Sequence, residues 1–194
     1  MPLNKYPRTS NIMLILQFAN GGNLREYLQK KWQQNRFKFE WKKLIKCANE
    51  LTLGLEYLHK KGIIHRDLHS KNILINDDKI LIADFGISKH VTDASTTSAI
   101  LGMPAYIEPQ CFFKPGKAKR NDKSDIYSLG VLLWELTSGI SPFNNLPSVA
   151  VILKIINNER GKVIPGTPTD YSELYKSCWS SDPEKRPMLE KNLN

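Results

Sequence analysis

Apolar residues recur along the chain in three rhythms. From Trp41 onward, Leu44, Ile45, Ala48, Leu51, Leu55 and Leu58 return every three or four positions, with Lys42, Lys43, Lys46 and Glu50 on the opposite side. That period predicts a long amphipathic helix that ends near Gly62. Ile73-Leu74-Ile75 and Ile80-Leu81-Ile82 are short runs rich in isoleucine, joined by Asn76, Asp77, Asp78 and Lys79. They predict a two-stranded hairpin. Ile126 to Leu136 has almost no polar side; with Ser124 as N-cap, Asp125 in the first turn and Gly139 as the stop, it predicts a central helix buried all round.

Shorter signals complete the outline. Residues 11–19 predict a strand, broken by Asn20-Gly21-Gly22-Asn23 before Leu24, Tyr27 and Leu28 begin a short helix. Pro147-Ser148 opens a helix carrying Val149, Ile152, Ile155 and Ile156, and Tyr171 to Trp179 forms a last one ahead of Asp182-Pro183. Residues 92–104 are rich in Ser, Thr, Ala and Gly without periodicity, which predicts an irregular mid-domain segment. No repeat or linker divides the chain. The expected class is mainly α (α+β): a helical bundle around a buried central helix, with a small β ribbon.

Composition narrows the partners. The 194 residues are 41% hydrophobic and 24% charged, which excludes disorder, collagen and coiled coil. A net charge of +9 permits anionic partners. Lys114, Lys117, Lys119, Arg120 and Lys123 are the densest basic run, but no aromatic platform interleaves with them, so they read as a solvated face and no nucleic-acid partner is expected. No apolar run approaches the roughly 18 residues that span a bilayer, so no membrane partner is expected. The apolar stretch behind Lys5 and Arg8 runs into Phe18-Ala19-Asn20, which is not a small-residue cleavage site. Cys47, Cys111 and Cys178 are odd in number and far apart, and no Asn-x-Ser/Thr acceptor occurs. The expected setting is reduced, intracellular and cytoplasmic.

Reactive side chains concentrate in Ile64-His65-Arg66-Asp67-Leu68-His69-Ser70-Lys71-Asn72. On a strand, the alternating His65, Asp67 and His69 would share one side as a metal site; otherwise the segment is a polar turn. Asp84-Phe85-Gly86, just after the hairpin, changes the reading. His-Arg-Asp, four residues, Asn, a hairpin and then Asp-Phe-Gly is the order of the catalytic loop and metal-binding motif of protein kinases. The sequence resembles the C-terminal lobe of a tyrosine-kinase-like protein kinase. Ser124-Asp125-Ile126-Tyr127-Ser128-Leu129-Gly130 is similar to that lobe's central helix, and Cys178-Trp179, Asp182-Pro183 and Arg186-Pro187 to its closing motif.

The resemblance implies ATP and Mg2+ as cofactors and a protein hydroxyl as acceptor. Asp67 is then the base, Lys71 stands where tyrosine kinases carry a catalytic-loop arginine, and Asn72 and Asp84 are the magnesium ligands. Leu16 is the gatekeeper, the backbone of Gln17 and Ala19 faces adenine, and Leu74 floors its pocket. Arg66 receives a phosphate from Ser95, Thr96, Thr97 or Ser98, unless these are plain loop hydroxyls. His65 and Phe85 pack in an internal apolar column. Residues 1–22 correspond to the last N-lobe strand and hinge, and 23–194 to the C-terminal lobe.

Several positions depart from the family pattern. His69 and Met103 stand where lysine and threonine are usual in serine/threonine kinases. Glu108-Pro109-Gln110 replaces Ala-Pro-Glu, so the expected buried partner of Arg186 is the Gln110 amide, and the activation segment is expected to be softened. The Gly-rich loop and the lysine and glutamate of an N-terminal lobe have no counterpart in Met1 to Ile12, so that lobe is expected as a separate missing partner. Two functions therefore compete: a phosphotransferase inactive in this form, and a non-catalytic interaction module built on the same lobe.

Overall fold

The computed structural model describes residues 3–5, 12–90, 102–113 and 119–189. Two antiparallel strands, β1 (Leu3–Lys5) and β2 (Ile12–Leu14), open the chain, shorter than the strand expected over residues 11–19. The Asn23 side chain accepts from the Glu26 amide and caps α1 (Leu24–Gln29), which buries Leu24 and Leu28. A hairpin of β3 (Trp32–Gln33) and β4 (Arg36–Phe37) follows, its turn formed by Gln34 and Asn35 at positive φ. Two-residue strands carry too little alternation to be seen in a sequence.

The amphipathic helix α2 (Trp41–Lys60) has the expected bounds and buries Leu44, Leu51 and Leu55. It leads into β5 (Ile63–Ile64), the ribbon of β6 (Ile73–Asn76) and β7 (Lys79–Ile82), and β8 (Lys89–His90). The ribbon turns on Asp77 and Asp78, both at positive φ, the geometry of a tight two-residue hairpin. Strand β8 pairs back onto β5, so residues 65–88 form one loop-and-ribbon excursion closed at its base.

Four helices complete the described chain: α3 (Pro109–Phe113), α4 (Asp122–Ser138), α5 (Ser148–Ile156) and α6 (Thr169–Cys178). Helix α4 is buried from Ser124 to Ser138, as a central helix should be. Its N-cap is Asn121, not Ser124: the Asn121 side chain accepts from the Ser124 amide while Ser124 Oγ accepts from the Asn121 amide. This reciprocal box starts the helix three residues earlier than expected. Gly139 ends it at φ 72°. Helix α6 crosses at Gly130, where a Cβ would lie 2.7 Å from the Trp179 amide nitrogen, so only glycine permits that approach. No helix among the described residues is long and apolar enough to cross a membrane.

Arg186 closes the bundle, and here the expected pairing is corrected. Only 2% exposed, it donates from Nη1 to Glu108 Oε2 at 2.6 Å and to the Lys123 carbonyl at 2.9 Å. Its Nη2 reaches Gln110 Oε1 at 3.2 Å, a secondary contact. The carboxylate has moved two residues upstream, so the charge pair survives. The other Glu108 oxygen accepts from Ser124 Oγ, which ties the pair to the start of α4. The softening expected from Gln110 therefore has no basis here. Glu108→Gln should cost about 3–5 kcal/mol in urea denaturation, because a buried guanidinium loses its counter-charge. Gln110→Ala should cost about 1 kcal/mol. The reverse order would restore Gln110 as the main partner.

Candidate active site

The loop between β5 and β6 is held from beneath by Asp125, in the first turn of α4. Its Oδ2 accepts the His65 amide at 2.8 Å and lies 3.0 Å from His59 Nε2; its Oδ1 accepts the Arg66 amide at 2.8 Å. Arg66 has φ 71°, a left-handed conformation that is strained for a side chain of this size. The His65 ring is fully buried and sits 5.2 Å from Phe85. Its Nε2 lies 3.0 Å from the Ala83 carbonyl, and its Nδ1 faces the Asp67 amide at 3.3 Å. Those partners assign a neutral tautomer with the proton on Nε2 and leave neither nitrogen for a metal. Among the described residues no group of three His, Cys, Asp or Glu side chains could hold a metal ion, so the alternating His65-Asp67-His69 reading is not supported.

Asp67 and Asn72 are brought together directly. Asn72 Nδ2 donates to the Asp67 carbonyl at 3.0 Å and to Asp67 Oδ2 at 3.3 Å. The Ala83 amide donates to the Asn72 carbonyl at 2.9 Å, one rung beyond the Ile73–Ile82 pair. That rung sets Asp84 at the same end of the ribbon as Asn72. Asp84 is exposed at φ 64°, and its Oδ1 accepts the Gly86 amide at 3.2 Å. On the other side of Asp67, Gly102 has φ 111°, and a Cβ there would lie 2.6 Å from Asp67 Oδ1. A cavity of about 360 Å³ opens beside this stretch, lined by Arg25, Met103, Ala105 and Phe143 among others.

The remaining expected site residues are more scattered. Lys71 is exposed. Buried His69 has its Nε2 3.6 Å from Asp67 Oδ1, too long for a hydrogen bond, and its Nδ1 has no partner. Burial pushes its pKa down against the opposing pull of Asp67. A ring whose burial disfavours the charged form therefore stands beside Asp67. Leu74 is half-buried on the ribbon, and the Gly21 amide and Gly22 carbonyl pair with Ile75, each at 2.9 Å, docking the hinge onto β6. Leu16 is 63% exposed; Gln17 is also exposed and Ala19 half-buried. Ser95, Thr96, Thr97 and Ser98 lie outside the described residues, as do Lys114 and Lys117.

Two features escaped the sequence reading. Arg120, taken there as one of a run of solvated cations, donates from Nη1 to the Arg66 carbonyl at 2.6 Å. Burial and the nearby Arg120 charge lower the Arg66 pKa. Glu135, hidden inside an apolar helix, accepts from Ser70 Oγ at 2.9 Å and from the Tyr106 hydroxyl, with Arg25 Nε 3.5 Å away. Arg25 also donates to Ser70 Oγ at 2.9 Å and to Tyr106 at 2.7 Å. The signal for this network was one carboxylate in an otherwise apolar helix, since such a group needs partners.

Comparison with known proteins gives one family. The family described as "Protein tyrosine and serine/threonine kinase" matches residues 4–194. The chain is 34% identical over 176 residues to the Arabidopsis thaliana serine/threonine/tyrosine-protein kinase HT1, covering 90% of this chain and 44% of that protein. It is 35% identical over 182 residues to the Xenopus laevis mitogen-activated protein kinase kinase kinase 13-A, covering 93% of this chain and 18% of that one. A probable serine/threonine-protein kinase of Dictyostelium discoideum is 32% identical over 186 residues, covering 95% and 20%. The chain thus spans less than half the length of these relatives.

The Glu135 network makes stability depend on pH. Burial raises the Glu135 pKa above its ordinary value of 4.5, opposed by Arg25 and its hydrogen bonds. The folded state therefore holds its proton to higher pH than the unfolded state does. This contribution to stability is present below 4.5 and is lost as pH rises from there through the folded-state pKa. Glu135→Gln should remove that slope. Thermal midpoints of both proteins across the acid range check this; parallel curves would contradict it.

Proposed function

Because this chain belongs to the protein tyrosine and serine/threonine kinase family, we propose that it is the catalytic lobe of an ATP-dependent kinase of the tyrosine-kinase-like type. In this role it transfers a phosphoryl group to a protein hydroxyl. The observation that carries the reading is the Asp67–Asn72 pair, tied through Ala83 to Asp84. Phosphoryl transfer asks little covalent chemistry of the protein, so positioning and charge neutralisation dominate.

Each residue has a role that its surroundings allow. Asp67, half-buried at the mouth, accepts the proton of the substrate hydroxyl. With Nδ2 turned to Asp67, Asn72 keeps Oδ1 as an acceptor, and Asp84 offers an exposed carboxylate. These hard oxygen donors fit Mg2+, which takes one or two protein carboxylates together with phosphate and water. When bound, that ion neutralises phosphate charge. Leu74, Leu16 and the backbone of Gln17 and Ala19 hold adenine. Lys71 orients substrate phosphate, and Arg66 receives an activation-segment phosphate. The cavity beside Met103 and Ala105 seats the protein substrate.

A non-catalytic reading is favoured by one observation, the exposure of Ile15, Leu16, Phe18 and Phe85 on the nucleotide side. A site open to water loses the gain from desolvated electrostatics. Titration with magnesium ADP and a phosphotransfer assay separate the two readings. Asp84→Asn should weaken magnesium-dependent nucleotide binding about tenfold. Asp67→Asn should leave binding unchanged, and the 194-residue chain should show no turnover above that variant. Asp67-dependent turnover by this chain would establish it as a complete catalyst. Absence of nucleotide binding would favour the interaction module.

A further inference from the structure

One stretch holds most of the chain's excess charge. Residues 30–46 contain seven of its 28 lysines and arginines and, in Glu40, one of its 19 acids, a net +6 out of +9. They run from the end of α1 through the β3–β4 hairpin into the first turns of α2. Phe39 packs on Tyr27 and on Phe37, each at 6.1 Å between ring centres, so hairpin and helix start adjoin. Lys46 is occupied: its Nζ donates to the Asp78 carbonyl at 2.9 Å. Lys30, Lys31, Arg36, Lys38, Lys42 and Lys43 form no ion pair among the described residues, and all but half-buried Lys31 are exposed.

A solvated face is the ordinary reading of such a run, but here the fold bears a cost for it. Lys42 and Lys43 stand in the first turn of α2, where the helix dipole is positive and cations are disfavoured. No acidic residue lies in that turn, and the Glu40 side chain makes no cap bond. The hairpin register, Trp32 with Phe37 and Gln33 with Arg36, puts Lys31 opposite Lys38, whose amide donates to the Lys31 carbonyl at 3.0 Å. Alternation places Lys31, Arg36 and Lys38 on the same ribbon face, and like charges directly opposed across two strands repel. Lys31 relieves part of this by lying over the Tyr27 ring, 4.4 Å from its centre.

Exposed apolar groups narrow the choice of partner. On α2, Trp41 and Ile45 are one turn apart and 39% and 40% exposed, beside the row of Lys42 and Lys46. Trp41 is braced edge-on against Tyr171 at 5.2 Å. An apolar stripe flanked by lysines suits a surface that is anionic above and apolar below, which is the lipid–water interface. Six of the seven cations are lysines. Lysine is a flexible point charge that answers a diffuse negative potential, whereas recognition of carboxylates or bases draws on the arginine fork. We propose that this face binds peripherally to an anionic membrane surface. Such contact needs no helix that crosses the bilayer, and it revises the expectation, drawn from the lack of a long apolar run, of no membrane partner. It needs no phosphoryl transfer either, so its test stands apart from the kinase reading.

The test is sedimentation of the full 194-residue chain with vesicles of phosphatidylcholine, alone or with about 30% phosphatidylserine, over a salt series. Binding should need the anionic lipid and fall steeply with salt. Lys42→Gln with Lys43→Gln should weaken it about thirtyfold and leave the thermal midpoint unchanged or higher. The same charge removed elsewhere, at exposed Lys61 past the other end of α2 and at exposed Lys185 beside Arg186, should weaken it about threefold at most. Ile45→Gln should weaken it about threefold with the charge unchanged. Equal binding to both vesicle types, undiminished binding in the Lys42 and Lys43 variant, or a fall in that variant's midpoint overturns the proposal. So does an equal loss from Lys61→Gln with Lys185→Gln, while no loss from Ile45→Gln overturns its apolar half. Tighter binding, at matched charge, to polyglutamate or to oligodeoxythymidylate also overturns it and assigns the face to an acidic protein or to nucleic acid.

Discussion

A buried carboxylate holds the loop between β5 and β6 in a shape the loop would not keep by itself. Asp125 is 1% exposed and has three hydrogen-bond partners: the His59 ring and the amides of His65 and Arg66. The Arg66 conformation it supports is left-handed. Without the carboxylate, the buried His65 amide and the part-buried Arg66 amide would lose their acceptor, at about 1–3 kcal/mol each, leaving the Arg120 bond to the Arg66 carbonyl to hold a strained backbone. Its place in the first turn of α4 also suits a negative charge, because the helix dipole is positive there. The arrangement of Asp67 and Asn72 rests on this constraint, since both sit on the backbone that Asp125 fixes.

Helix α4 carries the same logic along its length. Asp125, Ser128 and Glu135 are three and seven residues apart, which keeps them on one face. Ser128 Oγ donates to the Tyr106 carbonyl at 2.8 Å, and Glu135 takes Tyr106 and Ser70. The distance from Asp125 to Glu135 is about 15 Å at helical rise. One helix thus grips the loop between β5 and β6 at His65, Arg66 and Ser70, and the Tyr106 segment in the middle. Such a grip is preorganisation: the groups are placed before any substrate arrives. The apolar faces of the same helix supply the stability, with Leu129, Leu132 and Leu136 all buried.

What was legible in the sequence follows from which signals are local. The long helices and the ribbon carry their period within a dozen residues, and the Asp67-Asn72-Asp84 order is a matter of spacing around one hairpin. The polar stripe of α4 was visible but submerged in its apolar neighbours. The partner of Arg186 was misread because a sequence shows which residue stands at a position, not how far its side chain reaches. Glu108 is 78 residues from Arg186 and precedes the first residue of α3, where its carboxylate meets the guanidinium. Conserving the charge did not require conserving its place. Arg120 escaped for the same reason, as its contact with the Arg66 carbonyl spans 54 residues.

The rigid half of the site and its exposed half are separated at the hinge. Below it, Asn72 is bonded to Asp67 and, through its carbonyl, to Ala83 on the ribbon side, while α4 holds the start of the same loop at His65 and Arg66. Above it, Leu16 and Phe18 are 63% and 83% exposed, and the segment is joined to the ribbon only past them, by the Gly21 and Gly22 backbone bonds to Ile75 and by Asn20 with Asp77. Beside Asp67, His69 adds to the asymmetry: burial disfavours its charged form, so this imidazole carries less positive charge than an ammonium would at the same place. What separates the two readings of this lobe is therefore concentrated at Leu16 and Phe18, because the bonds below them, from Asn72 to Asp67 and from Ala83 to Asn72, are formed in this structure.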